Sequence, residues 1–153
     1  MNPNRRSVLK SAGALAAVLA TGALKPGAAA AAVPNQAALH AKTTADALKA
    51  LGITHVDESK DIQIKVPEIA ENGAVVPIEV TSNIPGTQTI AVFIDKNPFP
   101  FAGSFDVSKG ALPFVALRLK VGESSHIRVV ATAGGKHYIA AKEVKVTIGG
   151  CGG

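Results

Sequence analysis

Cysteine is the residue type best suited to covalent chemistry in this chain, and it occurs once, at Cys151. Glycines surround it: Gly149, Gly150, Gly152 and Gly153. Because glycine has no Cβ and loses more backbone freedom on ordering than other residues, we expect residues 149–153 to form a mobile arm. One thiol cannot form a disulfide within the chain. In an exported protein it indicates a free reactive thiol or intermolecular pairing. The alternatives are a cysteine without a role and a terminal cysteine added by engineering.

Other catalytic patterns are missing from the sequence. It contains no Ser-His-Asp spacing and no glycine-rich phosphate loop. The four histidines show no i, i+4 pair of the kind that binds zinc: His40, His55, His126 and His137. The sequence therefore predicts no metal site and no resident cofactor, and it predicts a chain that is not itself an enzyme. The thiol would be a point of attachment whose chemistry other proteins supply.

The first 32 residues are typical of a cleaved twin-arginine export signal. Arg5 and Arg6 precede a small-residue apolar run from Ala12 to Leu24, and an alanine-rich segment follows. The apolar run is shorter than the roughly 20 residues that span a bilayer, although a retained anchor helix is the alternative. This signal predicts a periplasmic protein without a membrane segment in its mature form.

The formal charge of +5 comes mostly from this leader. Without its four basic residues, 12 basic residues stand against 11 acidic ones. Such a balance gives no reason to expect nucleic acid or an anionic membrane as a partner.

The remaining pattern predicts an all-β domain over residues 33–148 with one short helix. Helical spacing runs from Asn35 to Leu51, with Thr43 or Thr44 as a cap and Gly52 at the C-terminal end. After Lys60 the apolar residues alternate with polar ones in six or seven short runs. They include residues 62–66, 76–80, 90–94, 115–121, 127–131 and 138–148. We expect an immunoglobulin-like antiparallel β-sandwich, with a hairpin at Gly134 and Gly135.

Four phenylalanines are candidates for a partner interface. Phe93 and Phe114 fall on the strand faces opposite the expected core, and Phe99 and Phe101 lie in a proline-rich segment expected to be a loop. Because antiparallel sheets usually expose one polar face, an apolar second face indicates a cover. That cover is either a partner subunit or this chain's own loops and N-terminal helix.

Four stretches of the sequence resemble the SoxY family, the sulfur carrier subunits of the SoxYZ complex in bacterial thiosulfate oxidation. They are KEVKVTIGGCGG at 142–153, DALKALG at 46–52, VPEIAENGAVVP at 66–77 and LPF at 112–114. The glycine-cysteine motif is specific because both residue type and position match, and the resemblance covers essentially all of the chain beyond the signal.

This resemblance implies that Cys151 carries sulfur derived from thiosulfate as a covalent adduct on a swinging arm. It also implies a SoxZ-like subunit as heterodimeric partner. Transient partners would be a SoxXA-like cytochrome, a SoxB-like hydrolase and, in some organisms, a SoxCD-like sulfane dehydrogenase.

Two other functions remain open from the residues alone. A structural sandwich could dimerise through a disulfide at Cys151, or the chain could be a thiol enzyme such as a peroxidase. The enzyme would need an activated thiol and usually a second cysteine, and the sequence suggests neither.

Overall fold

The computed structural model of the protein describes residues 35–147. The export signal at 1–32 and the arm at 149–153 with Cys151 lie outside these residues, so the predicted domain boundaries stay predictions. Within the described range the chain forms two helices, α1 (Gln36–Leu39) and α2 (Thr44–Ala50). It also forms nine strands, β1 (Asp57–Glu58), β2 (Ile62–Lys65), β3 (Ile69–Ala70), β4 (Val76–Ser82), β5 (Thr87–Ile94), β6 (Phe101–Asp106), β7 (Phe114–Leu119), β8 (Ser125–Ala133) and β9 (Lys136–Val146).

The helical segment is two short helices instead of the single one predicted. Thr43 caps α2, its side chain accepting a hydrogen bond from the Asp46 N–H. At the other end Gly52 takes φ +76°, and the Ile53 N–H donates to the Leu48 carbonyl at 2.9 Å. This Schellman arrangement ends the helix where the glycine predicted it would.

The strands form two sheets, which confirms the predicted all-β sandwich. The larger sheet has the order β1-β9-β8-β5-β6, with β3 also paired to β9, and the smaller has the order β2-β4-β7. All pairings are antiparallel except those of β1 and β3, which run parallel to β9. The connection between β8 and β9 is the predicted hairpin, with Gly134 and Gly135 at φ +57° and +78°, as a type I′ turn requires.

Two hydrophobic cores result. The first lies between the sheets and contains the alternating residues of β4, β5, β8 and β9. The second lies on the other face of the larger sheet, where Phe93 and Val130 are covered by Ala38 and Ala47 of the helices. The helices are therefore the cover for the apolar second face of this sheet.

None of the helices in the described range is long and apolar enough to cross a bilayer.

Candidate functional site: the base of the thiol arm

The strand that leads toward Cys151 is β9, and its end is held on both edges. On one edge the Lys145 N–H donates to the Glu68 carbonyl at 2.9 Å, and the Thr147 N–H donates to the Ala70 carbonyl at 3.1 Å. On the other edge the Val146 N–H donates to the Ser124 Oγ at 2.9 Å. Three consecutive amides are thus hydrogen-bonded at the end of the described range, four positions before Cys151.

Gly73 makes a close backbone approach at this point. Its carbonyl accepts from the Val121 N–H at 2.7 Å. A Cβ on Gly73 would lie 2.5 Å from the Val121 carbonyl oxygen and 2.8 Å from Val146 Cγ1. Only a residue without a side chain fits there, so the segment before β4 packs directly over the end of β9.

The loop that carries Ser124 is itself braced. The Asn97 side chain donates to the Lys120 carbonyl at 2.8 Å and accepts from the Gly122 N–H at 3.0 Å. Asn97 follows β5, so the connection after β5 supports the loop between β7 and β8. We call residues 68–75, 120–124 and 145–147 the arm base.

The surface of the arm base mixes apolar and charged side chains. Ile69 is 58% exposed and Val75 is 52% exposed. Glu68, Glu71 and Glu123 are exposed beside them.

The distance from the arm base to the thiol has a covalent limit. Cys151 follows Thr147 by four residues. Because an extended chain spans at most about 3.3–3.6 Å per residue, the two Cα atoms are no more than about 14 Å apart. The thiol therefore stays within about 14 Å of a fixed point on the protein body, apart from its own side-chain length.

Two of the four phenylalanines predicted at a partner interface are buried by this chain itself. Phe93 is 0% exposed and Phe101 is 8% exposed, and their ring centroids lie 5.4 Å apart beneath the helices. The interface prediction is wrong for this pair, because the helices of this chain cover both rings and Phe101 opens β6 instead of lying in a loop.

The other two phenylalanines are exposed, and the prediction for them remains untested. Phe99 is 46% exposed, with the Lys42 Nζ 3.8 Å above its ring. Phe114 is 47% exposed and pairs with Thr81 near the end of β4. The arm base meets the beginning of β4, so Phe114 and its neighbour Leu112 lie at the opposite end of the sandwich.

The polar interactions of the body are structural. The Arg128 side chain donates to both carboxylate oxygens of Asp95, and the Thr44 hydroxyl donates to the same carboxylate, which ties α2 to the larger sheet. The Ser108 hydroxyl and N–H donate to the Asp106 carboxylate and hold its pKa below the ordinary range. Across residues 35–147 no group of three or more histidines and carboxylates is placed to hold a metal ion.

Sequence reasoning missed the residues that hold the arm base. Ser124 and Gly73 had no distinguishing pattern, since Gly73 followed an asparagine as any turn glycine does. The stretch 66–77 was part of the family resemblance, and it contains much of the segment that wraps the end of β9.

Comparisons with known proteins agree with this picture. The family model described as "Sulfur oxidation protein SoxY" matches residues 46–151. The model for the twin-arginine translocation signal matches residues 2–22. None of the curated protein sequences matches the chain.

Among solved structures, the sulfur carrier protein SoxY from Chlorobium limicola f thiosulfatophilum is 47% identical, with a TM-score of 0.62. That match covers 67% of this chain and 94% of the Chlorobium chain. An engineered protein is 13% identical, with a TM-score of 0.40, and the match covers 57% of this chain and 20% of the engineered chain. This similarity is too distant to indicate a function.

Proposed function

This chain belongs to the SoxY family and is a sulfur carrier exported to the periplasm, and on that premise we propose that Cys151 is the residue on which the sulfur is carried. The observation that carries the proposal is the extent of the family match. It runs to residue 151 and so includes the only cysteine in the sequence. A carrier of covalently bound sulfur requires a nucleophilic attachment point, and a thiol is the side chain that forms sulfur–sulfur bonds.

The proposed cycle begins with thiosulfate. A SoxXA-like c-type cytochrome joins the sulfane sulfur of thiosulfate to the Cys151 sulfur, and an electron pair passes to the cytochrome as the sulfur–sulfur bond forms. A SoxB-like hydrolase then adds water to the terminal sulfone and releases sulfate, which leaves one sulfur on the cysteine. Where a SoxCD-like dehydrogenase operates, the sulfur left on Cys151 takes its oxygen atoms from water, and its electrons pass to the dehydrogenase as protons are released. A second hydrolysis then releases this sulfur as sulfate and returns the free thiol.

The chain acts in this cycle as a carrier and not as a catalyst. Two features support a carrier role without catalysis. The arm base is built from backbone hydrogen bonds, a serine hydroxyl and close packing, which can position a tether but not activate a substrate. The glycines beside Cys151 carry no side chains, so this segment can enter a channel too narrow for other residues.

The proposed permanent partner is a SoxZ-like subunit. The twin-arginine pathway exports folded proteins, so a partner without its own signal can leave the cytoplasm together with this chain. No resident cofactor is required by the proposal, since the covalent sulfur on Cys151 is the cargo.

The test uses two variants that separate the thiol from its tether. Cys151→Ser removes the thiol. The double variant Thr147→Cys, Cys151→Ser places a thiol on an exposed residue at the arm base instead of four residues beyond it. Each variant is purified with its partner subunit and assayed for thiosulfate-dependent electron transfer in the reconstituted enzyme system, and intact mass is measured on periplasmic protein.

We expect sulfur adducts and turnover with the natural chain and neither with Cys151→Ser. The Thr147→Cys double variant should react with the small reagent 5,5′-dithiobis(2-nitrobenzoate) but should not support turnover, because its thiol cannot reach a buried catalytic centre. Full turnover with Cys151→Ser would refute the proposal. A mass equal to a simple disulfide dimer, without sulfur adducts, would favour a structural role for Cys151.

A further inference from the structure

The short distance between the arm base and Cys151 requires close contact between the carrier and any enzyme that acts on its cargo. The Cys151 Cα lies within about 14 Å of the Thr147 Cα, and any depth of an enzyme's catalytic pocket uses part of that distance. The rim of the pocket must then lie against the body of the carrier near Thr147. This step rests on the proposed role of Cys151.

The body surface at that position contains two uncovered apolar side chains. Ile69 belongs to β3, which pairs with Lys145 and Val146, and it is 58% exposed. Val75 is 52% exposed and follows Gly73, the residue packed against Val146. Exposed apolar side chains bordered by polar ones are typical of protein interaction sites.

Charged residues border this apolar pair. Glu68 and Glu71 are exposed on the same segment, on either side of the two residues that pair with β9. Neither carboxylate is within ion-pair distance of a cation in the described part of the chain, where the salt bridges join other residues. At this end Glu68, Glu71 and Glu123 outnumber the exposed Lys120 and Lys145, the second of which is the register partner of Ile69. The remaining acidic charge contributes to steering, and the apolar pair provides the contact.

We infer that Ile69 and Val75, bordered by Glu68 and Glu71, form the docking surface for the sulfur-processing enzymes. The partner that this surface fits is an enzyme whose active-site entrance has an apolar rim with cationic residues outside it. Such an entrance would also suit an anionic cargo on Cys151. One surface would serve each enzyme in turn, since all must reach the same short arm.

The test replaces the apolar side chains and leaves the thiol untouched. Ile69→Thr and Val75→Thr keep the β-branched shape and remove apolar surface. The matched control is Leu112→Thr, which changes an 81% exposed apolar residue at the other end of the sandwich. Each variant, purified with its partner subunit, is assayed with thiosulfate and the purified cytochrome and hydrolase of the same system. The reaction with 5,5′-dithiobis(2-nitrobenzoate) measures thiol accessibility without docking.

We expect the double variant Ile69→Thr, Val75→Thr to lower kcat/KM about tenfold, mainly through a higher KM for the carrier. Truncating a central apolar contact weakens an interface by such amounts. In this double variant the rate of reaction with 5,5′-dithiobis(2-nitrobenzoate) and the circular dichroism spectrum should be unchanged. The kcat/KM of Leu112→Thr should equal that of the natural chain. The double variant Glu68→Gln, Glu71→Gln should lower kcat/KM at low ionic strength and have less effect at high ionic strength.

An unchanged kcat/KM in the Ile69→Thr, Val75→Thr double variant would overturn the inference, as would an equal loss in Leu112→Thr. These results would leave the proposed function intact, because that proposal is tested separately, by the turnover of Cys151→Ser and by the intact mass of the natural chain.

Discussion

Replacing Gly73 by alanine would test whether the arm base is held by close backbone packing. The added Cβ would lie 2.5 Å from the Val121 carbonyl oxygen and 2.8 Å from Val146 Cγ1. Both neighbours belong to the arm base, and the first is backbone that cannot rotate away. Since carbon atoms pack best at about 3.5–4.0 Å, the Val146 methyl group alone would have to retreat by roughly 1 Å.

The loss of stability expected for Gly73→Ala follows from this steric overlap. Forcing extra atoms into a well-packed site costs about 1–3 kcal/mol. The hydrogen bond from the Val121 N–H to the Gly73 carbonyl, 2.7 Å long, would be strained by the same movement. For a domain of this size we expect the melting temperature to fall by about 3–6 °C for each kcal/mol.

Gly122→Ala is the matched control, because it adds the same methyl group on the neighbouring loop. There the nearest atom to the new Cβ is Asn97 Oδ1 at 3.6 Å, an ordinary van der Waals contact. This variant should be neutral or stabilising by about 0.4–1 kcal/mol, since alanine restricts the unfolded chain.

Thermal unfolding followed by circular dichroism would compare the two variants, and hydrogen exchange would locate the change. We expect the Val146 and Thr147 amides to exchange faster in Gly73→Ala, because their bonds to Ser124 and Ala70 open more often. Equal melting temperatures for the two variants, with unchanged exchange at these amides, would show that the packing over β9 is not what holds the arm base.

Two further predictions concern the rest of the body. Phe93→Ala should lower the free energy of unfolding by about 3–5 kcal/mol, because it empties the second core. Phe99→Ala should lower the free energy of unfolding by about 1 kcal/mol or less, since its ring is half exposed under a lysine. Equal losses for the two variants in urea denaturation would show that the ring of Phe93 is no more important to the core than that of Phe99. Ser108→Ala should raise the pKa of Asp106 toward its ordinary value, as measured by NMR titration of the carboxyl carbon. Because the pKa of Asp106 is lowered in the folded state, the stability it contributes is complete above the ordinary pKa and is lost as pH falls through the folded pKa. An unchanged titration midpoint in the variant would exclude the serine hydroxyl as a cause, since the N–H of residue 108 remains.

Local features of the fold could be predicted from the sequence because short-range chemistry determines them. The alternation of apolar residues located six of the described strands, β2, β4, β5, β7, β8 and β9. Two adjacent glycines fixed the hairpin at Gly134, and Thr43 and Gly52 marked the two ends of α2. Each of these signals depends on residues only a few positions apart.

Features that depend on distant residues could not be predicted in this way. β1 and β3 have two residues each, and they are strands only because both pair with the edge of β9. β6 begins directly after Pro100 and contains Gly103, so its alternation was too weak to distinguish it from a loop. The burial of Phe93 followed from the position of the helices, and alternation alone would have fitted a partner subunit equally well.

The arm base was the least predictable part of the site. Its hydrogen bonds join Ser124 to Val146 and Ala70 to Thr147, residues separated by more than 20 positions. The thiol itself was evident from composition, because a single cysteine among glycines is unusual. Sequence therefore identified the attachment point, and the structure identified what holds the strand before it.

On the proposed role of Cys151, the three amide hydrogen bonds at Lys145, Val146 and Thr147 determine how far the thiol can lie from the protein body. With these bonds intact, the last bonded amide belongs to Thr147, four positions before Cys151, which limits the span to about 14 Å. If they opened, the span would begin at Val144 and increase to about 24 Å. For a flexible tether the effective concentration of the thiol at a docked active site falls roughly as the −3/2 power of the tether length, so lengthening it from four residues to seven would lower that concentration about twofold. A firmly held base and a short tether would thus act together, since a loose base would lower the effective concentration that covalent attachment provides.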